Sequence, residues 1–317
     1  MDGFNGKAAL ASVFFCLLAT SAAAKGPKVV TSIMPIHALA AEVMAGVGAP
    51  ELLVEGAASP HSFNLKPSDA QALEEADVVI WIGEGLEMFL QRPLANLKEE
   101  TQVLTLSELE GIHLLPSRGS GLHDEHADDV EGHAHHDYHH VHGPVDPHLW
   151  LAPENGIIIA NQIAETLAER DPDWADLYRE NAQRMTRKLQ ALESRVQQKL
   201  LPFQGYSFLV FHDAYQYFEE AFGLRSGGSI TLDAERQPGA RRLREIRNWI
   251  GEQGPSCVFA EPQFEPRVLH MLVEGTEAQI GLLDPVGATL ELGPGAYAAL
   301  LDGLADGFVD CFAQQSR

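Results

Sequence analysis

The first third of the chain alternates between short apolar runs and longer segments with apolar residues every three or four positions. Runs of this length are typical of strands inside a parallel sheet, and the longer spacing is that of amphipathic helices. Helices are predicted after Pro35 and after Ser68, where a proline and an N-cap residue mark helix starts. Strands are predicted at Lys28–Ile33, Glu51–Val54, Asp77–Ile82 and Gln102–Leu106. Strands that alternate with helices in this way predict a parallel α/β sheet.

The last third of the chain repeats this rhythm after a long amphipathic segment. That segment runs from about 174 to 200 and is longer than a usual globular helix, so we interpret it as a helical linker. Strands are then predicted at Ser207–Phe211, Ser256–Ala260 and Gln279–Leu283, with helices at 214–222, 240–252, 267–275 and 297–312. The predicted fold class is therefore α/β, with two Rossmann-like lobes of parallel strands joined by a long rigid linker helix.

The N-terminus has the three parts of a secretory signal peptide. Lys7 supplies a positive charge, an apolar run follows, and Ala22-Ala23-Ala24 offers small residues for cleavage before Lys25. A membrane anchor is the alternative, but the run is shorter than the roughly 20 residues that span a bilayer. Cys16 lacks the small residue that must precede a lipidated cysteine. The predicted organisation is a signal peptide at 1–24, lobes at 25–172 and 201–317, and a linker helix at 173–200.

Composition narrows the functional classes. The formal net charge is −23, and so acidic a surface disfavours nucleic acid and anionic lipid but suits a protein that concentrates cations. We expect an exported, periplasmic monomer. After cleavage two cysteines remain, Cys257 and Cys311. An even count in an exported protein favours a disulfide, although two buried thiols are the alternative.

Residues from about 113 to 142 have no hydrophobic periodicity and are rich in His, Asp, Glu and Gly. This composition predicts a disordered loop within the first lobe. Eight histidines lie in it: His123, His126, His133, His135, His136, His139, His140 and His142. We interpret the loop as a low-affinity collector of Zn²⁺. The alternative is a solvated acidic loop that binds metal only incidentally.

Three histidines and one aspartate lie where ligands bind in open parallel sheets, in loops at the carboxyl ends of strands. His61 and His148 lie ahead of predicted helices in the first half, and His212 and Asp284 follow predicted strands in the second. Three neutral imidazoles and one carboxylate form a donor set that suits Zn²⁺ in a tetrahedral site. We therefore predict a metal site in the cleft between the lobes. Glu261, after another strand, is a candidate hydrogen-bond partner for a ligand histidine.

Nearly the whole mature chain resembles the metal-specific solute-binding proteins of manganese- and zinc-uptake ABC transporters. The matching segments are VVTSIMPIHALA, SPHSFNLKPSDAQALEEADVVIWIGEGLEMFL, DPHLWLAPENG, FHDAYQYFEEAFGL, FAEPQF and LLDPVGA. The resemblance implies that His61, His148 and His212 occupy the three histidine-ligand positions and Asp284 the carboxylate position. Manganese-type relatives carry glutamate where this chain has His212, so the resemblance implies zinc.

The resemblance carries further expectations. Some zinc-type relatives have a ligating glutamate immediately before the first histidine, but Pro60 stands there, so the fourth ligand should be Asp284, or otherwise a water. Zinc-type relatives carry the His-rich insertion, and a disulfide where Cys257 and Cys311 fall. The expected partner is a zinc-specific ABC permease, with an accessory periplasmic zinc chaperone as a further candidate. The linker helix should limit closure of the cleft.

Three other functions are compatible with parts of this sequence pattern. Three histidines on zinc with one open position are also a catalytic arrangement, so a zinc-dependent hydrolase is one alternative. The chain has no HExxH or GxSxG motif, and an aspartate in the fourth position would leave no water to activate. A manganese or iron carrier of the same transporter family is the second alternative, and a surface adhesin the third. We expect a carrier and not an enzyme.

Overall fold

The computed structural model describes residues 26–118, 122, 145–231, 238–264 and 267–314. The predicted signal peptide and the eight loop histidines lie outside these residues. Within the described ranges, no helix has the length and apolar character needed to cross a membrane.

The first lobe is built on a four-stranded parallel sheet. Its strands are β1 (Val29–Thr31), β2 (Glu51–Leu52), β3 (Val78–Trp81) and β4 (Gln102–Thr105), in the order β2-β1-β3-β4. The connecting helices are α1 (Met34–Val43), α2 (Pro67–Glu75) and the short α3 (Gln91–Leu94). The apolar runs of the sequence form these strands because helices cover the sheet, so that β1 and β3 are buried along their whole length.

The second lobe has the same strand order. Its strands are β5 (Phe208–His212), β6 (Ser229–Thr231), β7 (Cys257–Ala260) and β8 (Gln279–Leu282), arranged β6-β5-β7-β8 and all parallel. Its helices are α6 (Gln216–Phe222), α7 (Ala240–Gln253), α8 (Arg267–Val273) and α9 (Ala296–Phe312). A disulfide between Cys257 and Cys311 joins β7 to the end of α9. The predicted fold of two parallel-sheet α/β lobes is thus confirmed.

Two helices lie between the sheets in sequence, α4 (Pro153–Arg170) and α5 (Ala175–Leu200). The apolar face of α5, which includes Met185, Leu189, Leu192 and Val196, is buried. One continuous apolar core runs from the first sheet through α1, α4 and α5 to α9 and the inner side of the second sheet. Because this core belongs to both lobes, separating them would expose buried apolar surface, which is unfavourable.

The segment after β4 departs from the sequence prediction. A disordered loop was expected from about 113, but residues 113–118 have defined contacts. The Asn155 side chain binds both the backbone N–H and the carbonyl of His113, and Pro116 pairs with Val145 in an antiparallel bridge. These long-range bonds order a segment whose own sequence has no periodicity, so the prediction was wrong for its first residues.

Candidate metal centre

His148 is held by a carboxylate two residues earlier in the chain. Its ring Nδ1 lies 2.7 Å from Asp146 Oδ1, and its backbone N–H donates to the same oxygen at 3.0 Å. Both side chains are buried. Because a carboxylate accepts hydrogen bonds, the proton of a neutral ring lies on Nδ1, and Nε2 carries the lone pair that a metal needs.

His212 is held in the same way in the second lobe. It is the last residue of β5 rather than the first after it. Its Nδ1 lies 2.8 Å from Glu261 Oε1, and its backbone N–H donates to that oxygen at 3.2 Å. Glu261 directly follows the neighbouring strand β7 and is buried. The hydrogen bond suggested from the sequence for Glu261 is therefore present.

His61 completes the group from the loop between β2 and α2. Its ring centroid lies 5.4 Å from that of His148 and 6.0 Å from that of His212, and the latter two are 5.3 Å apart. One ring nitrogen from each of the three lies within 4.8 Å of the others. Nitrogens on a tetrahedral zinc ion are roughly 3.3 Å apart, from Zn–N bonds of about 2.05 Å. A small inward movement would therefore bring all three into bonding distance.

Asp284 is not part of this group. It follows β8, and its Oδ1 accepts from the backbone N–H of Gly287 at 2.9 Å and from Gln263 Nε2 at 3.3 Å. Its Oδ2 accepts from the backbone N–H of Thr289 at 3.4 Å. The structure thus brings three of the four predicted ligands together, while the fourth is bound to its own loop. Gln263 lies between Asp284 and the histidines, because it donates to Asp284 and also lines the space between the histidines.

The space enclosed by the three imidazoles is small and largely apolar around its rim. Its volume is about 20 Å³, and its walls include Trp150, Phe264 and Pro285. A cavity needs about 10–15 Å³ of such volume to hold one water, so this space suits a single small ion. Apolar walls also limit solvent access to a bound metal, which strengthens its electrostatic interactions.

The electrostatics of His212 reflect two opposing effects. Burial lowers its pKa, but the negative charge and hydrogen bond of Glu261, with contributions from Asp213 and Asp146, outweigh burial and raise the pKa overall. The same negative field that attracts a proton to this imidazole also favours a divalent cation at the centre of the group.

The sequence pattern alone assigned no role to Asp146. The sequence does contain a pattern that could have indicated this role. Asp146 and His148 lie on either side of a proline, whose ring restricts the backbone between them. A carboxylate two residues before a ligand histidine could therefore have been tested as its hydrogen-bond partner.

The molecule consists of two α/β lobes of the same topology that share a continuous core. Histidines from both lobes converge on one small space. This arrangement defines a two-lobed solute-binding protein whose candidate solute is a single metal ion. Comparison with known proteins gives the particular family. The model of the family described as zinc-uptake complex component A, periplasmic, matches residues 29–311. The chain belongs to this family.

Relatives match over nearly their full length. The chain is 43% identical to the high-affinity zinc uptake system protein ZnuA of Brucella suis biovar 1 (strain 1330), over 96% of this chain and 98% of that protein. It is 40% identical to the protein of the same name from Yersinia pestis, over 89% and 90% of the two chains. A crystal structure of ZnuA superposes with a TM-score of 0.75 at 25% identity, covering 90% of this chain and 99% of that one.

Proposed function

We propose that the protein captures Zn²⁺ in the periplasm through His61, His148 and His212 and delivers it to a zinc-specific ABC permease. The convergence of three ring nitrogens within 4.8 Å, drawn from both lobes, carries this proposal. Membership of the zinc-uptake family supports the choice of metal and the role in import. A borderline-soft donor set of imidazoles favours Zn²⁺ over Mn²⁺, which prefers carboxylate and water ligands.

Asp284 is our proposed fourth ligand. The Gln263 amide that donates to Asp284 lines the zinc space, and an ion there would attract the negative charge of this carboxylate. Binding would replace one of the hydrogen bonds of Asp284 with a bond to the metal. Anomalous diffraction from crystals of the zinc-loaded protein tests this: a carboxylate oxygen of Asp284 should lie about 2.0–2.2 Å from the ion, whereas a solvent peak there would assign the fourth position to water.

A carrier fits this site better than the alternative of a hydrolase. The space of about 20 Å³ between the histidines suits a single ion rather than an organic substrate. With Asp284 on the metal, no bound water would remain to be activated. Zinc-dependent hydrolysis of ester or peptide probes by the wild type, lost on Asp284→Ala, would revive the hydrolase.

Binding stoichiometry tests the ligand set. The protein should be purified without residues 123–142, so that the loop histidines do not add sites. We expect one tightly bound Zn²⁺ per chain, competing successfully against Mn²⁺ and Fe²⁺, and none in a variant with His61, His148 and His212 all replaced by alanine. His270→Ala is the matched control, since His270 is exposed on α8. Tight binding by the triple variant, or a preference for Mn²⁺, would contradict the proposal.

We further propose that the segment containing His123 to His142 collects Zn²⁺ at low affinity for the main site, and that an accessory zinc chaperone is a candidate donor. The wild type and the form lacking 123–142 should then transport zinc equally at high supply and differ at limiting supply. Equal uptake at both would remove a transport role for the segment.

The proposed organisation comprises a signal peptide at 1–24, lobes at 25–172 and 201–317, and a linker helix at 173–200. Mass spectrometry of the periplasmic protein should give a chain that begins at Lys25, and light scattering should give a monomer. A retained N-terminus would indicate an anchored protein.

A further inference from the structure

Residues 113–118, which the structure describes at the start of the insertion, cross from the first lobe to the second beside the metal centre. In this segment the guanidinium of Arg118 binds two carboxylates of the second lobe. Nε donates to Asp213 Oδ2 at 3.1 Å and Nη2 donates to Asp213 Oδ1. Nη1 and Nη2 donate to the two oxygens of Glu219 at 2.8 and 3.0 Å. This is the planar, forked recognition that arginine provides and lysine does not.

This ion group is mostly shielded from water. The side chains of Arg118 and Asp213 are each 19% exposed, and that of Glu219 is 5% exposed. Charge-assisted bonds in such surroundings are stronger than surface ion pairs, and loss of one partner leaves the others buried without compensation. Glu219 would keep a hydrogen bond from the backbone N–H of Ser226, but it would lose both of its bonds to a cation.

The group connects the two carboxylate-held histidines. Asp213 directly follows His212 in the chain. On the other side, Leu115 O accepts the backbone N–H of Asp146 at 2.9 Å, and Asp146 holds His148. Tyr217 on α6 completes the connection, because its hydroxyl accepts from the Leu115 N–H at 3.0 Å and donates to Asp146 O at 2.8 Å. A path through Arg118 and the backbone of residues 115–118 therefore connects the ligand of one lobe to the ligand of the other, beside the separate link that Tyr217 makes.

We propose that Arg118 is a positioning residue that latches the two lobes beside the metal centre and so sets the rate at which Zn²⁺ leaves it. This inference rests on the proposed histidine ligands. The core through α1, α5 and α9 joins the lobes independently, so loss of the latch should loosen the approach of His148 to His212 without unfolding the protein. Release to a permease would then require this ion group to open.

The direction in which zinc affinity changes distinguishes a latch from a purely electrostatic effect of the Arg118 charge. Arg118 is a cation, and removal of a cation near a Zn²⁺ site would by itself strengthen zinc binding. Removal of a latch should weaken it. Lysine at this position keeps the charge but loses the fork, so a latch predicts weaker binding for Arg118→Lys, and a pure charge effect predicts no change.

The experiment is stopped-flow zinc release into a chelator, with association measured separately, on the full mature chain. Arg118→Gln should raise the dissociation rate several-fold, less than the roughly 10- to 100-fold found when a direct hydrogen-bond partner of a metal ligand is lost, with association changed far less. Arg118→Lys should fall between this variant and the wild type. Arg179→Gln is the matched control, since Arg179 makes an exposed pair with Glu165 between α4 and α5, and it should release zinc like the wild type.

Each outcome decides the proposal. The latch proposal would be contradicted if both Arg118→Gln and Arg118→Lys released zinc at the wild-type rate, or if Arg118→Gln bound zinc more tightly. Either result would leave the proposed histidine ligands unaffected. If zinc binding did not depend on His148, the proposed function itself would fail, and the proposed latch would fail with it. Should Arg118→Gln not fold, Arg118→Lys carries the test, because it keeps the positive charge but loses the fork to Asp213 and Glu219, and it should also speed release.

Discussion

At the residue scale, each lobe contributes a histidine whose Nδ1 is held by a buried carboxylate, Asp146 in one and Glu261 in the other. The carboxylate fixes the tautomer and the ring orientation, and it makes the ligating nitrogen more basic. The first lobe contains a related arrangement away from the histidines, where buried Glu87 accepts from the Ser32 hydroxyl and from the backbone N–H of Ile82 and Gly83. Burial, partly offset by these bonds, raises the pKa of Glu87 to about 7. Buried carboxylates thus have two structural roles. Glu87 fixes the loop after β3, and Asp146 and Glu261 orient imidazoles of the metal centre.

Replacing Glu261 with glutamine tests this role. Glutamine keeps the shape and one acceptor but loses the charge, so zinc affinity should fall roughly 10- to 100-fold while the fold is retained. Competition with a fluorescent chelator measures the change, and circular dichroism checks the fold. Glu165→Gln, on an exposed carboxylate of α4, should leave affinity unchanged. An unaltered affinity in Glu261→Gln would mean that the carboxylate does not support the ligand.

Zinc affinity should fall as the pH is lowered from 7.5 to 5.5. A protonated histidine must lose the proton on its ligating nitrogen before it binds a metal, and an ordinary histidine has a pKa near 6.5. The pKa of His212 is raised above that value, so protons should begin to compete with zinc at a pH above 6.5. In Glu261→Gln the raising influence is lost while burial still lowers the pKa, so competition should begin at a lower pH. Zinc titrations across this range would give a flat profile if imidazoles were not the ligands.

At the element scale, the packing of Tyr297, at the start of α9, against α4 depends on a glycine. A Cβ built on Gly156 would lie 2.4 Å from the hydroxyl of Tyr297 and 2.6 Å from its ring. That hydroxyl donates to the carbonyl of Trp150 at 2.6 Å, two residues after His148. A tyrosine from the second lobe thus packs against the segment that carries a ligand of the first.

Gly156→Ala should destabilise the protein, although alanine is the better helix former. Alanine in a helix gains up to about 1 kcal/mol over glycine, but a methyl group forced into a packed core costs about 1–3 kcal/mol. Urea unfolding should therefore show a net loss. Gly303→Ala is the matched control, because Gly303 is exposed within α9 and a methyl group there would meet nothing within 4 Å, and it should be stabilising. A stabilised Gly156→Ala would show that Tyr297 moves away at little cost.

At the scale of the whole molecule, the two lobes are parts of one packed body. All ten residues of α1 are buried, and the helix packs against α4, α5 and α9. A large opening of the lobes would expose the apolar core that they share, which is unfavourable. The ligand nitrogens already lie within 4.8 Å of one another, so zinc binding needs only a small adjustment.

Small-angle X-ray scattering should therefore give the same radius of gyration for chelator-treated and zinc-loaded protein. The form lacking 123–142 is the one to measure, because metal binding to the loop histidines could compact the chain for an unrelated reason. A clear decrease on adding zinc would indicate hinge closure of whole lobes and would contradict the rigid-body interpretation.

Much of this architecture could be predicted from local patterns. Apolar runs and helical spacing located most of the strands and helices, with ends displaced by one or two residues, as at β5, which extends to His212. The linker helix was expected at 173–200 and α5 spans Ala175–Leu200. Such features depend on neighbours along the chain, and these can be read without knowledge of the fold.

Local sequence patterns were sufficient for the elements, the acidic surface and the loops that carry imidazoles. The fold was needed to show that Asp146 and Glu261 hold two of those imidazoles, that Asp284 is bound to its own loop, and that Arg118 joins the two lobes. The contacts of Glu261 and Arg118 could not be read from local patterns because they join residues that are distant along the chain. Arg118 and Asp213 are 95 residues apart and His212 and Glu261 are 49 apart, and such pairs meet only because the sheets and the shared core pack in one particular way.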